Sequence, residues 1–159
     1  RADPDCSLFA RALEPAEIDA PRSDWKDVRV SLEGQIDLRP QVVPNVNATV
    51  SAVTLLKAEE ALDLRLLVGS DDAINIYVNG KRVWDRHVHR ELTAREDVVP
   101  IHLEAGVNRL LFRLDQRIAN WAFTAEIVDP GRRALEITPL IGLQSAFQPT
   151  LQRSSSGVK

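Results

Sequence analysis

Near the middle of the chain, Asn79-Gly80 separates two runs in which apolar residues alternate with polar ones. Both central positions of a two-residue hairpin turn want a positive φ, which Asn and Gly adopt more readily than other residues. The dipeptide therefore commits residues 74–78 and 81–85 to antiparallel pairing. The same period of two recurs on either side. Leu62, Leu64, Leu66 and Val68 alternate with Asp63, Arg65 and Leu67, and the turn 69–72 follows. Residues 48–56, 87–92, 98–103, 108–114 and 121–128 read as further strands, with turns at 57–61, 104–106 and 115–120. Upstream, Val28, Val30 and Leu32 alternate with Asp27, Arg29 and Ser31 as a half-buried strand, and 36–38 is a short extended segment. Strands this short and this closely spaced, with almost no helix, predict an all-β chain folded as a jelly-roll-type antiparallel β-sandwich.

The flanks have a different character. Residues 5–13 could form a short helix with Leu8, Phe9, Ala12 and Leu13 on one side, which Pro15 and Pro21 then break. At the other end, 134–139 offers an edge strand, and 144–159, with Ser154-Ser155-Ser156-Gly157, reads as a linker or flexible tail. The expected division is an N-terminal arm at 1–24, the β-sandwich at 25–130 and a C-terminal extension at 131–159. The chain contains no methionine and opens Arg1-Ala2-Asp3-Pro4, which suggests a processed or excised module of something larger.

Composition narrows the function classes. A length of 159 residues suits one domain with a real core. Twenty Lys and Arg against 23 Asp and Glu give a net charge of −3, unlike the basic footprint of a dedicated nucleic-acid binder. No run approaches the ~18 to 20 apolar residues that span a bilayer. Cys6 is the sole cysteine, so neither an internal disulfide nor a cysteine metal cage can form; it is either a free thiol or a link to another chain. Enzyme signatures are missing: Ser70 lacks a Gly-x-Ser-x-Gly elbow, and no glycine loop is arranged to cradle phosphate.

A set of motifs carries a family resemblance. They are Gly34-Gln35-Ile36-Asp37-Leu38, Val46-Asn47-Ala48, Leu66-Leu67-Val68-Gly69-Ser70-Asp71-Asp72 and Ile76-Tyr77-Val78-Asn79-Gly80-Lys81-Arg82-Val83-Trp84. Gly106-Val107-Asn108-Arg109-Leu110-Leu111 and Trp121-Ala122-Phe123 complete it. Together they resemble the non-catalytic jelly-roll modules of large secreted bacterial proteins, over roughly residues 25 to 128. The chain is similar to galactose-binding-like domains attached to glycoside hydrolases and to protective-antigen-type lectin domains. The resemblance implies an extracellular or periplasmic location. In the lectins paired aspartates bind calcium, which holds sugar hydroxyls; here those positions are Asp71 and Asp72. Ala73 departs from the glycine those lectins usually carry next.

Three constellations are candidate sites. Asp71 and Asp72 offer hard oxygen ligands at a loop, suited to calcium; alternatively they cap backbone amides in a turn. Ideal hairpin register pairs Ile76 with Val83 on the core side, which would gather Asn75, Tyr77, Arg82 and Trp84 on the opposite face as a stacking platform for a sugar ring. The competing readings are that the first 24 residues or a neighbouring domain pack on this face, or that Trp84 turns inward at a bulge. His87, His89 and His102 could form a zinc site, against the reading that all three are solvated. Trp121 either lines a cleft behind the loop 117–120 or starts the last core strand, and Trp25 reads as a core or rim residue.

The expected function is a non-enzymatic, carbohydrate-binding-like accessory module of a larger exported protein or complex. Its partner would be a glycan or polysaccharide, with calcium as the one cofactor implied. The alternative is a structural module that docks onto a catalytic subunit or neighbouring domain without binding sugar. An aromatic content of 5% leans toward that alternative, because sugar platforms use aromatic area.

Overall fold

Every strand in the first half of the sandwich finds its partner in the second half, in reverse order. In the computed structural model the strands are β1 (Gln35–Asp37), β2 (Ala48–Ala58), β3 (Leu62–Asp71), β4 (Ile74–Val78), β5 (Lys81–Arg86), β6 (Asp97–Leu103), β7 (Gly106–Gln116) and β8 (Ala122–Val128). β4 pairs with β5, β3 with β6, β2 with β7 and β1 with β8, all antiparallel. The chain is thus one long hairpin with Asn79-Gly80 at its tip. Pairing of β3 with β8 and of β4 with β7 rolls it up. Two sheets result, ordered β1-β8-β3-β6 and β2-β7-β4-β5, which is the jelly-roll sandwich the spacing predicts. The structure describes residues 26–43, 45–131, 137–139 and 150–153.

The tip has the predicted geometry: Asn79 and Gly80 both take positive φ, 49° and 81°. Behind it, alternation places one face of each strand in the core. Val50 and Leu56 come from β2, Leu64, Leu66 and Val68 from β3, and Ile74, Ile76 and Val78 from β4. The same core takes Val99, Ile101 and Leu103 from β6 and Leu110, Phe112 and Leu114 from β7. Burying each such side chain contributes roughly 1.5–3 kcal/mol. Trp121 is wholly buried at the entry to β8, and Phe123 lies 5.4 Å from Phe112 between ring centroids. Trp121 is a core residue. The open edges are protected: β6 carries Pro100, and β5 carries Lys81, Arg82, Asp85 and Arg86.

Three expected features come out differently. Residues 28–32 form no strand; Val30 and Leu32 are exposed, and Ser31 Oγ accepts N–H bonds from Glu33 and Gln35 to close a turn at Gly34. The segment joins neither sheet, and β1 is the outermost strand beyond β8. Residues 87–92 are likewise not a strand but part of the crossing from β5 in one sheet to β6 in the other, and a crossing segment cannot stay in either ladder. β9 (Ile137–Pro139) is the edge strand expected within 134–139, whereas β10 (Thr150–Arg153) forms inside the stretch read as linker or tail; both pair antiparallel with β2, at opposite ends of its free edge. The proposed N-terminal helix, Trp25, Cys6 and the rest of the tail lie outside the described residues. Among the described residues, no helix is long and apolar enough to cross a membrane.

Candidate functional site

The hairpin platform is not assembled. The register slips by one residue between Ile76 and Tyr77, so Trp84 lies opposite Ile76 and Asp85 opposite Asn75. A one-residue bulge reverses the face of everything beyond it. Val83 and Trp84 are both half-buried against the core. The tryptophan ring has more apolar area to gain there than on the solvent side. Of the other three, Asn75 (0% exposed) and Tyr77 (2%) are buried, Tyr77 beside Leu111 and Val53, while Arg82 pairs with Asp85 at 3.1 Å. These residues share no exposed surface.

The end of the sandwich beyond Asp71 is where chemistry converges. β3 finishes at Ser70-Asp71, and the peptide between Asp71 and Asp72 is cis. Asp72 Oδ1 accepts the Arg90 N–H at 3.2 Å, and its Oδ2 accepts the Arg117 N–H at 3.1 Å. One buried carboxylate therefore holds two loops, 87–96 and 117–121. Arg90 reinforces the first: Nε donates to the Ser70 carbonyl at 3.1 Å, and Nη2 donates to Ser70 Oγ at 2.8 Å and to Asp97. Its Nη1 lies 3.1 Å from Glu96 Oε2. Ser70 Oγ in turn donates to the Asp72 carbonyl at 2.8 Å. Gly69 lets this loop come close; a Cβ there would stand 2.1 Å from the Thr93 carbonyl oxygen. The second loop is closed by Gln116 Nε2, which donates to the carbonyls of Ala119 and Asn120.

Between these loops lies a pocket of about 500 Å³, lined by Val46, Asn47, Asp72, His89, Arg117 and Ile118. His89 is 45% exposed, with Nδ1 3.7 Å from Asp72 Oδ1. The Asn47 N–H donates to the Arg117 carbonyl at 3.1 Å, binding the 42–47 loop to the same wall. Burial, then the neighbouring charges of Asp72 and Glu91, push the Asp71 carboxyl up to about 6.

The calcium expectation meets a short donor set. The ion takes six to eight oxygens. Among the described residues no group of three His, Cys, Asp or Glu side chains is arranged to hold a metal. Both Asp72 oxygens already accept backbone N–H bonds, and the Arg90 guanidinium is bound to the neighbouring Ser70. These residues do not fit a calcium cage, and the turn-capping reading of the pair describes Asp72. The histidines do not converge either. His102 pairs with Asp63 at 2.7 Å near the start of β3, whereas His89 meets Asp72 just past its end, about 30 Å along the strand.

No family model, curated protein or solved structure matches the chain. Geometry alone therefore carries the functional reading. Sequence reasoning pointed to Asp72 and to a cleft near the loop 117–120, but it assigned the cleft lining to Trp121, which is buried, and it missed Asn47, Gly69 and Arg90. The glycine just ahead of Ser70-Asp71-Asp72 was the one readable signal, since a small residue inside a strand often marks a close backbone approach.

Proposed function

We propose that this chain is a non-enzymatic, carbohydrate-binding-like accessory module of a larger exported protein or complex, with its ligand seated in the Asp72 pocket. The pocket supports this reading by its mixture of surfaces. Asp72 and Asn47 supply groups that hydrogen-bond hydroxyls, His89 adds an imidazole, and Val46 and Ile118 provide apolar contact for sugar C–H groups. Its volume is within the roughly 300–1,000 Å³ of pockets that take small organic ligands. The walls are pre-set by the backbone bonds to Asp72, which lowers the ordering cost of binding.

A glycan array followed by polysaccharide pull-downs, run with calcium and with a chelator, tests the reading. Saturable binding that is indifferent to chelation and lost in His89→Ala is the expected result. Absence of binding to every glycan would favour the docking alternative. That alternative draws on Val43 and Ile118, which project at 71% and 72% exposure from loops at the pocket end.

A further inference from the structure

Resting on that reading, we infer that the pocket selects an acidic sugar, and that Arg117 recognises the carboxylate of a uronic-acid unit. The backbone of Arg117 is fixed on both sides: its N–H donates to Asp72 Oδ2 at 3.1 Å, and its carbonyl accepts from the Asn47 N–H at 3.1 Å. Arg117 is exposed and lines the pocket. Its charge is uncommitted. Arg39, Arg82, Arg86, Arg90 and Arg95 each lie within 4.0 Å of a carboxylate, while Arg117 has no such partner among the described residues.

A guanidinium presents a rigid fork that matches a carboxylate in a two-bond arrangement, and a fixed backbone reduces the entropy lost in making it. Asp72 is itself a carboxylate in the same pocket, so it orients the ligand: beyond the N–H groups of Arg90 and Arg117, its remaining lone pairs suit hydroxyl donors, and the ligand's carboxylate is left to Arg117. A uronate carries both groups, with a carboxylate at one end and ring hydroxyls at the other. A neutral sugar would leave the arginine unused.

The test is titration calorimetry of the full chain against polygalacturonate, neutral galactan and a sulfated galactan. The variants are Arg117→Gln, Arg117→Lys and Arg65→Gln, the last an exposed arginine outside the pocket. Because both anchoring bonds of Arg117 use its backbone, these changes leave the loop in place. We expect preference for polygalacturonate, a loss of roughly ten- to hundred-fold in Arg117→Gln, a smaller loss in Arg117→Lys and none in Arg65→Gln. Equal binding of neutral and acidic polymers, preference for the sulfated one, or equal losses in Arg117→Gln and Arg65→Gln would each overturn the inference while leaving glycan binding intact. Binding to no glycan at all would overturn both.

Discussion

The side-chain amide of Asn79 donates to Asn108 Oδ1 at 2.8 Å, tying the tip of the hairpin to the opening residues of β7. Asn79 Oδ1 accepts the Arg109 N–H, and its own N–H donates to the Arg109 carbonyl, each at 2.9 Å. Asn108 is wholly buried and also serves the Glu104–Asn108 turn, accepting from the Glu104 N–H and donating to the carbonyls of Glu104 and Gly106. Two turns far apart in sequence are thereby fixed as one unit. Asn108→Ala should cost about 2–4 kcal/mol, because one buried amide holds two turns and its partners on Asn79, Glu104 and Gly106 are lost together. Urea denaturation with an unchanged m-value and a lower midpoint is the expected signature.

The bulge in β5 separates two neighbours that ideal register would place side by side. Trp84→Ala should destabilise by about 2–3 kcal/mol, less than a fully buried tryptophan, because the ring packs on the core but is only half-buried. Arg82→Ala should stay within about 1 kcal/mol, since its ion pair with Asp85 is solvent-screened. Neither should change glycan affinity beyond its effect on folding, and thermal unfolding alongside binding assays separates the two.

Gly69→Ala places a Cβ against the Thr93 carbonyl at 2.1 Å, a backbone contact that cannot rotate away. The loop 87–96 must shift, and with it the Arg90 N–H bond to Asp72 and the His89 wall of the pocket. A stability loss of about 2 kcal/mol or more is expected. Hydrogen exchange should show faster exchange at the Arg90 and Arg117 amides, with the β6 ladder less affected.

Asp71 introduces a pH dependence with a definite sign. Folded, it keeps its proton up to about 6; unfolded, it loses it near 3.8. Between those values the folded state binds more protons, so this group's contribution to stability falls as pH rises from about 4 to 6 and is constant above that. Asp71→Asn should remove this component and be more stable than the parent at pH 7.5. Denaturation midpoints for both proteins from pH 4 to 8 check this, and parallel curves would contradict it.

Calcium should leave thermal stability unchanged. A genuine site with a Kd near 10 μM would add about 2.7 kcal/mol at 1 mM calcium and raise the melting temperature measurably. Scanning calorimetry with 1 mM calcium and with excess chelator should give superimposable transitions; a calcium-dependent rise would restore the ligand role of Asp71 and Asp72.

Much of the fold was readable one strand at a time. Alternation in 62–68, 74–78 and 98–103 assigns the core face because the side-chain period of a strand is two, and Asn79-Gly80 marks the tip because few other pairs tolerate two positive φ values. The same local signal misleads in 28–32 and 87–92. Alternation shows that a segment could be half-buried, but not that a sheet edge is open to receive it. Asp71-Asp72 was likewise visible as a loop acid pair, whereas its partners were not.

The sequence by itself determined an all-β chain, its hairpin tip and most of its core, because each depends on neighbours a few residues apart. Tertiary structure decided the site. The slip that places Trp84 opposite Ile76 depends on how β5 settles on the core, and a single residue of register exchanges inside for outside. The pocket joins Asn47, Asp72, His89 and Arg117, residues from four separate loops, through the Arg90 and Arg117 N–H bonds to the Asp72 carboxylate and the Asn47 N–H bond to the Arg117 carbonyl. No local pattern encodes that meeting. It exists only once the long hairpin has rolled up and brought the ends of β3 and β7 to the same rim.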